Sequence, residues 1–138
     1  RDWQQDVWDN YEKMLMHGVP MRQRKNIFFG HAMNGSEYGA FYRDMDISIA
    51  PLQMNNFNDS KSDIKLMECG RYGIPLVASD IGCYNETIID GETGFLIPKD
   101  NPRRVWTEKL TLLAKNPKLR REMAKFKDKE NEQSNGNN

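Results

Sequence analysis

The sequence predicts an α/β fold built on a parallel sheet of about four strands, with helices on both faces. Three observations carry that reading. Short apolar runs alternate along the chain with amphipathic segments of helical period. Pro75–Ser79 (PLVAS) is apolar without alternation, as in a strand covered on both faces. Glycine and proline punctuate the runs at Gly73, Pro75 and Asp90–Gly94 (DGETG), where turns and helix ends belong. Strands that alternate with helices pair in parallel, through crossovers of one hand. Doubly wound sheets usually hold about five or six strands, so a count of about four predicts that the chain begins partway through a domain.

The elements follow in order. Residues 2–16 form a helix in which Trp3, Val7, Trp8, Tyr11, Met14 and Leu15 make one apolar stripe. That stripe is assigned to the core, or else to a face that docks on another domain. Gly18 and Pro20 stop the helix. Asn26–Gly30 (NIFFG) reads as a short buried strand, followed by a loop with the turn signal Asn34-Gly35. Ser36 caps a helix carrying Tyr38, Phe41, Tyr42 and Met45. Asp46–Leu52 (DISIAPL) is the next strand, with Pro51 marking its end. The polar segment Gln53–Asp59 reads as a loop. Ser60 and Asp63 fit a capping box, with Ser62 a competing cap, for a helix running to Tyr72. Gly73 and Pro75 terminate it.

Beyond the PLVAS strand, a loop leads to a short helix near Tyr84–Ile89, the DGETG turn and a strand at Phe95–Ile97. Asn101 caps and Pro102 opens a helix through Ala114, whose core face is Val105, Trp106, Leu110 and Leu113. Asn116-Pro117 breaks it, and Leu119, Met123 and Phe126 mark one more amphipathic helix. Residues 127–138 carry no apolar period and are expected to be disordered, leaving 1–126 as the folded part.

Composition excludes some functions. Twenty basic residues balance twenty acidic ones, so the formal net charge is zero. Bulk nucleic-acid binding needs a broad basic surface, and none is expected. Cys69 and Cys83 fall on apolar elements without a CxxC pair or a His/Cys cluster, and read as reduced thiols in a cytoplasmic protein. No apolar run reaches the roughly 20 residues of a membrane span.

In open parallel sheets, ligands bind beyond the carboxyl ends of the strands. Those ends open into three loops: Gly30–Gly35, Gln53–Ser62 and Asp80–Cys83. The second loop feeds a helix N-terminus, whose free N–H groups and dipole favour an anion such as phosphate. Lys61 adds a point charge beside it. Lys61, Lys65 and Glu68 recur at i, i+4, i+7 and share one helix side. A carboxylate at that place can accept from the vicinal hydroxyls of a ribose or hexose. Phosphate at the helix start and a sugar one to two turns along would fit a nucleoside diphosphate. An exposed Lys65–Glu68 ion pair is the plainer account of the same spacing. His31 either lines the same cleft or is simply solvated. Neither GxxxxGK[ST] nor GxGxxG occurs, and no residue is assigned a catalytic or metal-ligating role.

Three motifs stand in order: KS-x-x-K-x-x-E before Gly70, GIPLVAS, and E-x-x-x-DG-x-TGFL. Together, over residues 25–126, they resemble the C-terminal domain of GT-B glycosyltransferases of the family-4-like type (glycosyl transferases group 1). The resemblance implies two Rossmann-like domains, of which this chain is the C-terminal, donor-binding half, with the acceptor-binding domain absent. It implies that Glu68 binds the donor ribose and that Ser60, Lys61 and Ser62 lie near the diphosphate. Gly30 and His31 would lie near the nucleobase. Many relatives carry an E-x7-E pair, whose first glutamate falls at Ser60 in this chain, with Asp59 as the neighbouring acid.

Glycosyl transfer from a nucleoside-diphosphate sugar is therefore the expected activity of the parent protein, with retention of configuration and neither cofactor nor obligatory metal. Helix amides and Lys61 would stabilise the leaving diphosphate, and Glu68 would position the donor without acting as a base. The chain alone is expected to be inactive. A non-catalytic nucleotide-binding or assembly module is the alternative. An epimerase would need further carboxylates and a histidine, for which only His31 is at hand. The acceptor, whether glycan, lipid or small molecule, is not specified by the sequence. Apolar surface left bare by a missing domain would favour a homodimer.

Overall fold

The computed structural model describes residues 3–30, 34–35 and 37–124. The chain divides into two compact units, Arg1–Gly35 and Ser36–Asn138, and each is described by itself.

In the first unit, α1 (Trp3–Met16) ends at Gly18, whose φ of +78° suits a residue without a Cβ. A short α2 (Met21–Arg24) follows. Arg24 ties the two together, donating from Nε to Val19 O at 3.0 Å and from Nη2 to Met16 O at 3.4 Å. Two expectations fail here. Val7, Trp8, Tyr11, Met14 and Leu15 are exposed, so the stripe is not core. The described residues of this unit add only the four-residue α2, which offers no second layer to cover it. The strand expected at 26–30 does not form either. The Asn26 and Ile27 amides turn back onto Gln23 O and Arg24 O, and residues 27–30 are exposed. A strand is stable only beside a partner ladder, and the described residues of this unit supply none.

The second unit holds the sheet, with three parallel strands among the described residues where about four were expected. They are β1 (Ser48–Ala50), β2 (Leu76–Ser79) and β3 (Gly94–Ile97), in spatial order 1-2-3. Ser48 pairs with Leu76, which in turn pairs with Gly94. β2 is central and buried along its whole length, which is why PLVAS shows no alternation.

Period two then divides the core. Leu76 and Ala78 join Tyr42, Ala50, Leu66, Cys69, Ile74, Tyr84 and Ile88 on one face. These come from α3 (Tyr38–Arg43), α5 (Ile64–Arg71), α6 (Cys83–Thr87), the strands, and the residues Ile74 and Ile88 just beyond α5 and α6. Val77, Phe95 and Ile97 meet Leu113 and Met123 on the other face, beneath α7 (Arg103–Lys115) and a helical segment over 117–124. Both crossover helices, α5 and α6, lie on the same face. Adding parallel strands in one direction with one crossover hand requires this. Each fully buried Leu or Ile contributes roughly 1.5–3 kcal/mol.

Three local readings are corrected. The segment after β1 contains a helical turn, α4 (Asn56–Asp59), because Asn55 caps it: its Oδ1 accepts from Asn58 N at 2.8 Å. The Ser60/Asp63 capping box is not made. Ser60 closes α4, with its hydroxyl donating to Asn56 O, and α5 starts only at Ile64. Asn101 does not cap α7; Pro102 stands at that position, and the Asn101 side chain turns toward the sheet.

Candidate functional site

The carboxyl ends of the three strands are drawn together by one buried hydroxyl. Ser79 Oγ, at the end of β2, accepts from Leu52 N at 2.9 Å and donates to Asn101 Oδ1 at 2.6 Å. Asn101 Nδ2 donates to Leu52 O at 2.8 Å, and Trp106 Nε1 donates to Asn101 Oδ1 at 3.3 Å. The loops that follow β1, β2 and β3 are thereby fixed at the same edge of the sheet.

A polar cleft of about 400 Å³ opens among these loops. Asp59, Ser60 and Lys61 line it from the loop after β1; Gly82, Cys83 and Glu86 from the segment after β2; Lys99 from the loop after β3. Its two ammonium groups are balanced by Asp59 and Glu86. Gly82 closes the floor. Its N–H donates to Asp59 Oδ1 at 3.1 Å, its φ is +53°, and a Cβ there would stand 2.9 Å from Asp59 O. Only glycine meets both demands. Asp80 is held in turn by Asn85, whose Nδ2 donates to its Oδ1 at 2.6 Å.

A second constellation sits on α3 and α5. Glu68 is half-buried, and its Oε2 accepts from the Tyr42 hydroxyl at 2.6 Å. Tyr42 is almost wholly buried and stacks on Tyr72, with centroids 5.4 Å apart and planes 6° from parallel. Burial, and then the bond to Glu68, push the Tyr42 phenol well above its ordinary pKa. It therefore stays protonated and remains a donor. Lys65 Nζ lies over the Tyr42 ring, 5.9 Å from its centroid. Among the described residues no Lys65–Glu68 ion pair forms.

The predicted site residues thus separate. Ser60 and Lys61 reach the strand-end cleft; Lys65 and Glu68 share α5 as expected, beside Tyr42. Lys61 is not on that helix, because α5 starts three residues later, and its ammonium lies 5.0 Å from the Phe57 ring centroid. Ser62 is exposed in the connection and does not line the cleft. Gly30 belongs to the first unit, and His31 lies outside the described residues, as do Ser36 and the tail at 127–138. Sequence reasoning missed Lys99, which no local pattern joins to Lys61, and gave Tyr42 only a core role. Among the described residues no group of three metal-ligating side chains occurs, and no helix is long and apolar enough to cross a membrane.

Cys83 provides a reporter inside the cleft. Both cysteines are free; Cys69 is fully buried and Cys83 half-buried. Burial first, and then the Asp63 carboxylate, push the Cys83 thiol up. At pH 8 its alkylation by iodoacetamide is expected to be slower than that of a free cysteine and to accelerate as pH rises. The native state holds this proton more tightly than the unfolded chain. The associated stability is therefore complete below the ordinary thiol pKa and falls as pH climbs above it. Mass-spectrometric alkylation rates against pH check this; a Cys83 faster than free cysteine at pH 8 would contradict it.

Parallel strands, helices on both faces and a polar cleft at the carboxyl edge define an α/β domain of Rossmann-like type. The family model of glycosyl transferases group 1 matches residues 21–130, and the chain belongs to that family. No curated protein sequence matches it. Membership makes the protein a glycosyltransferase, with a sugar donor and an acceptor.

Proposed function

We propose that this chain forms the donor-binding half of a GT-B glycosyltransferase and holds a nucleoside-diphosphate sugar. The observation that carries the reading is the cleft at the carboxyl edge of the sheet, where Lys61 and Lys99 approach from two different loops. Two ammonium groups there can meet the charge of a diphosphate and stabilise it as it leaves. That supports transfer without an obligatory metal. Glu68 binds the donor ribose: a carboxylate offers about four acceptor sites, and Tyr42 uses one. Asp59, which lines the cleft one residue before Ser60, is the acid nearest the place where relatives carry the first glutamate. Retention of configuration follows from the family resemblance. The acceptor, a glycan, lipid or small molecule, is held by a second Rossmann-like domain, so that the chain alone does not turn over. A cytoplasmic setting fits the two free thiols.

Calorimetric titration with UDP, GDP and ADP, and with their sugars, is the test. Binding of at least one in the micromolar range is expected. Glu68→Ala should weaken it about tenfold, or about 1.4 kcal/mol. No affinity tighter than millimolar for any of them, with the fold intact, would overturn the reading. A non-catalytic nucleotide-binding module is the second reading. It is favoured by Ser60, whose hydroxyl is already committed to Asn56 O. It is distinguished by binding that stays without turnover when an acceptor domain is present.

A further inference from the structure

Glu68 does not stand alone on its helix. The Tyr42 hydroxyl reaches it from α3, 26 residues earlier in the chain, at 2.6 Å, within the range of charge-assisted bonds. The donor has little freedom. Tyr42 is 2% exposed, its ring stacks on Tyr72, and Tyr38 and Phe41 meet it edge-on. Its hydroxyl also lies 3.4 Å from that of Tyr38. Gly39 allows this arrangement, because a Cβ there would collide with the Tyr72 hydroxyl. Lys65 sits over the Tyr42 ring, and among the described residues no ammonium forms an ion pair with Glu68.

We propose that Tyr42 is the positioning residue for Glu68: it fixes Oε2 and leaves the rest of the carboxylate's acceptor capacity aimed at a ribose hydroxyl pair. The assignment rests on the reading of Glu68 as the ribose-binding group. A free glutamate on an exposed helix samples several rotamers, and ordering it on binding has an entropic cost. A carboxylate already held by a buried, stacked phenol avoids most of that cost. Tyr42 does not touch the nucleotide in this scheme; its effect passes through Glu68. A bare latch between α3 and α5 would use the same hydrogen bond but would be indifferent to the sugar.

The test compares a nucleoside diphosphate with its 2′,3′-dideoxy analogue by calorimetry, in the wild type, Tyr42→Phe, Glu68→Gln and the double variant. Wild type is expected to favour the ribonucleotide about tenfold, the value of one well-made hydrogen-bonded pair. Tyr42→Phe keeps the ring stack, and is expected to lose most of that preference while affinity for the dideoxy analogue stays within about twofold. The double variant should be no worse than Glu68→Gln alone. If Tyr42→Phe lowers only the urea midpoint and leaves the ribo-to-dideoxy ratio at the wild-type value while Glu68→Gln abolishes it, the assignment is overturned and the ribose reading stands. If Glu68→Gln leaves the ratio unchanged, the ribose reading fails and takes the assignment with it. Should Tyr42→Phe not fold, the variant and the wild type are titrated in trimethylamine N-oxide, which favours the compact state. A ratio lost in Tyr42→Phe under those conditions supports the assignment and an unchanged one overturns it.

Discussion

Gly94→Ala is expected to lower stability by about 3 kcal/mol, the upper end of the usual cost of overpacking a core. Gly94 is buried in β3 directly opposite Leu76 of the central strand. A Cβ built on it would stand 2.6 Å from the Leu76 carbonyl oxygen and 3.3 Å from Ile88 Cγ2. The first obstacle is backbone, which cannot rotate away as a side-chain tip can. Either β3 moves off β2, weakening a four-residue ladder, or the Leu76 carbonyl tilts and disturbs the pairing on the other side. The neighbouring turn magnifies the effect: Gly91 N donates to Gly94 O at 2.8 Å, and Asp90 Oδ1 accepts from Leu96 N at 2.9 Å. A domain of this size has only about 5–15 kcal/mol in total, so the loss should be plain in urea unfolding, with the slope unchanged. A loss below about 1 kcal/mol would mean that the strands do not pair in this register.

Asn101→Ala should lose about 3 kcal/mol as well, for a different reason. Its side chain holds the Leu52 carbonyl, accepts from the buried Ser79 hydroxyl and takes a further bond from Trp106. Alanine leaves the Ser79 proton without this acceptor in a fully buried place. Asn101 also has φ +50°, the left-handed region that asparagine tolerates and alanine resists by about 1 kcal/mol. Asn101→Gly removes the strain but not the lost bonds, and should recover about 1 kcal/mol relative to alanine. The same variants should loosen the strand-end loops, so Cys83 alkylation ought to accelerate even where the protein is still folded. Equal stability of the alanine and wild-type proteins would show that the three-loop tie carries no load.

Particular elements show how far the sequence could be read. The central strand was legible because four consecutive buried residues leave no alternation, whatever surrounds them. α5, α7 and the DGETG turn were legible because breakers and helical period act within a few residues, although neither helix uses the cap that the sequence offered. The strand expected at 26–30 had the same kind of apolar composition and did not form, since a strand is completed by its neighbour and not by itself. The stripe on α1 was read correctly as a stripe and wrongly as core. Asn101 carried a sound capping signal, yet its amide found stronger partners 22 and 49 residues earlier in the chain, in Ser79 and Leu52. α4 was missed although Asn55 was there to cap it.

The candidate site divides in the same way. Lys61, Lys65 and Glu68 are singled out by their spacing beside a strand end, Ser60 only by the resemblance, and the motifs alone led to the family. Local pattern was enough to raise these residues as candidates, because helical period and loop position are properties of neighbouring residues. The company those groups keep was settled only in three dimensions: Lys99 lines the same cleft as Lys61, and the Tyr42 phenol meets the Glu68 carboxylate. Parallel strands join residues dozens of positions apart through their crossovers, and no short-range rule in a linear chain records which side chains will meet at the shared edge.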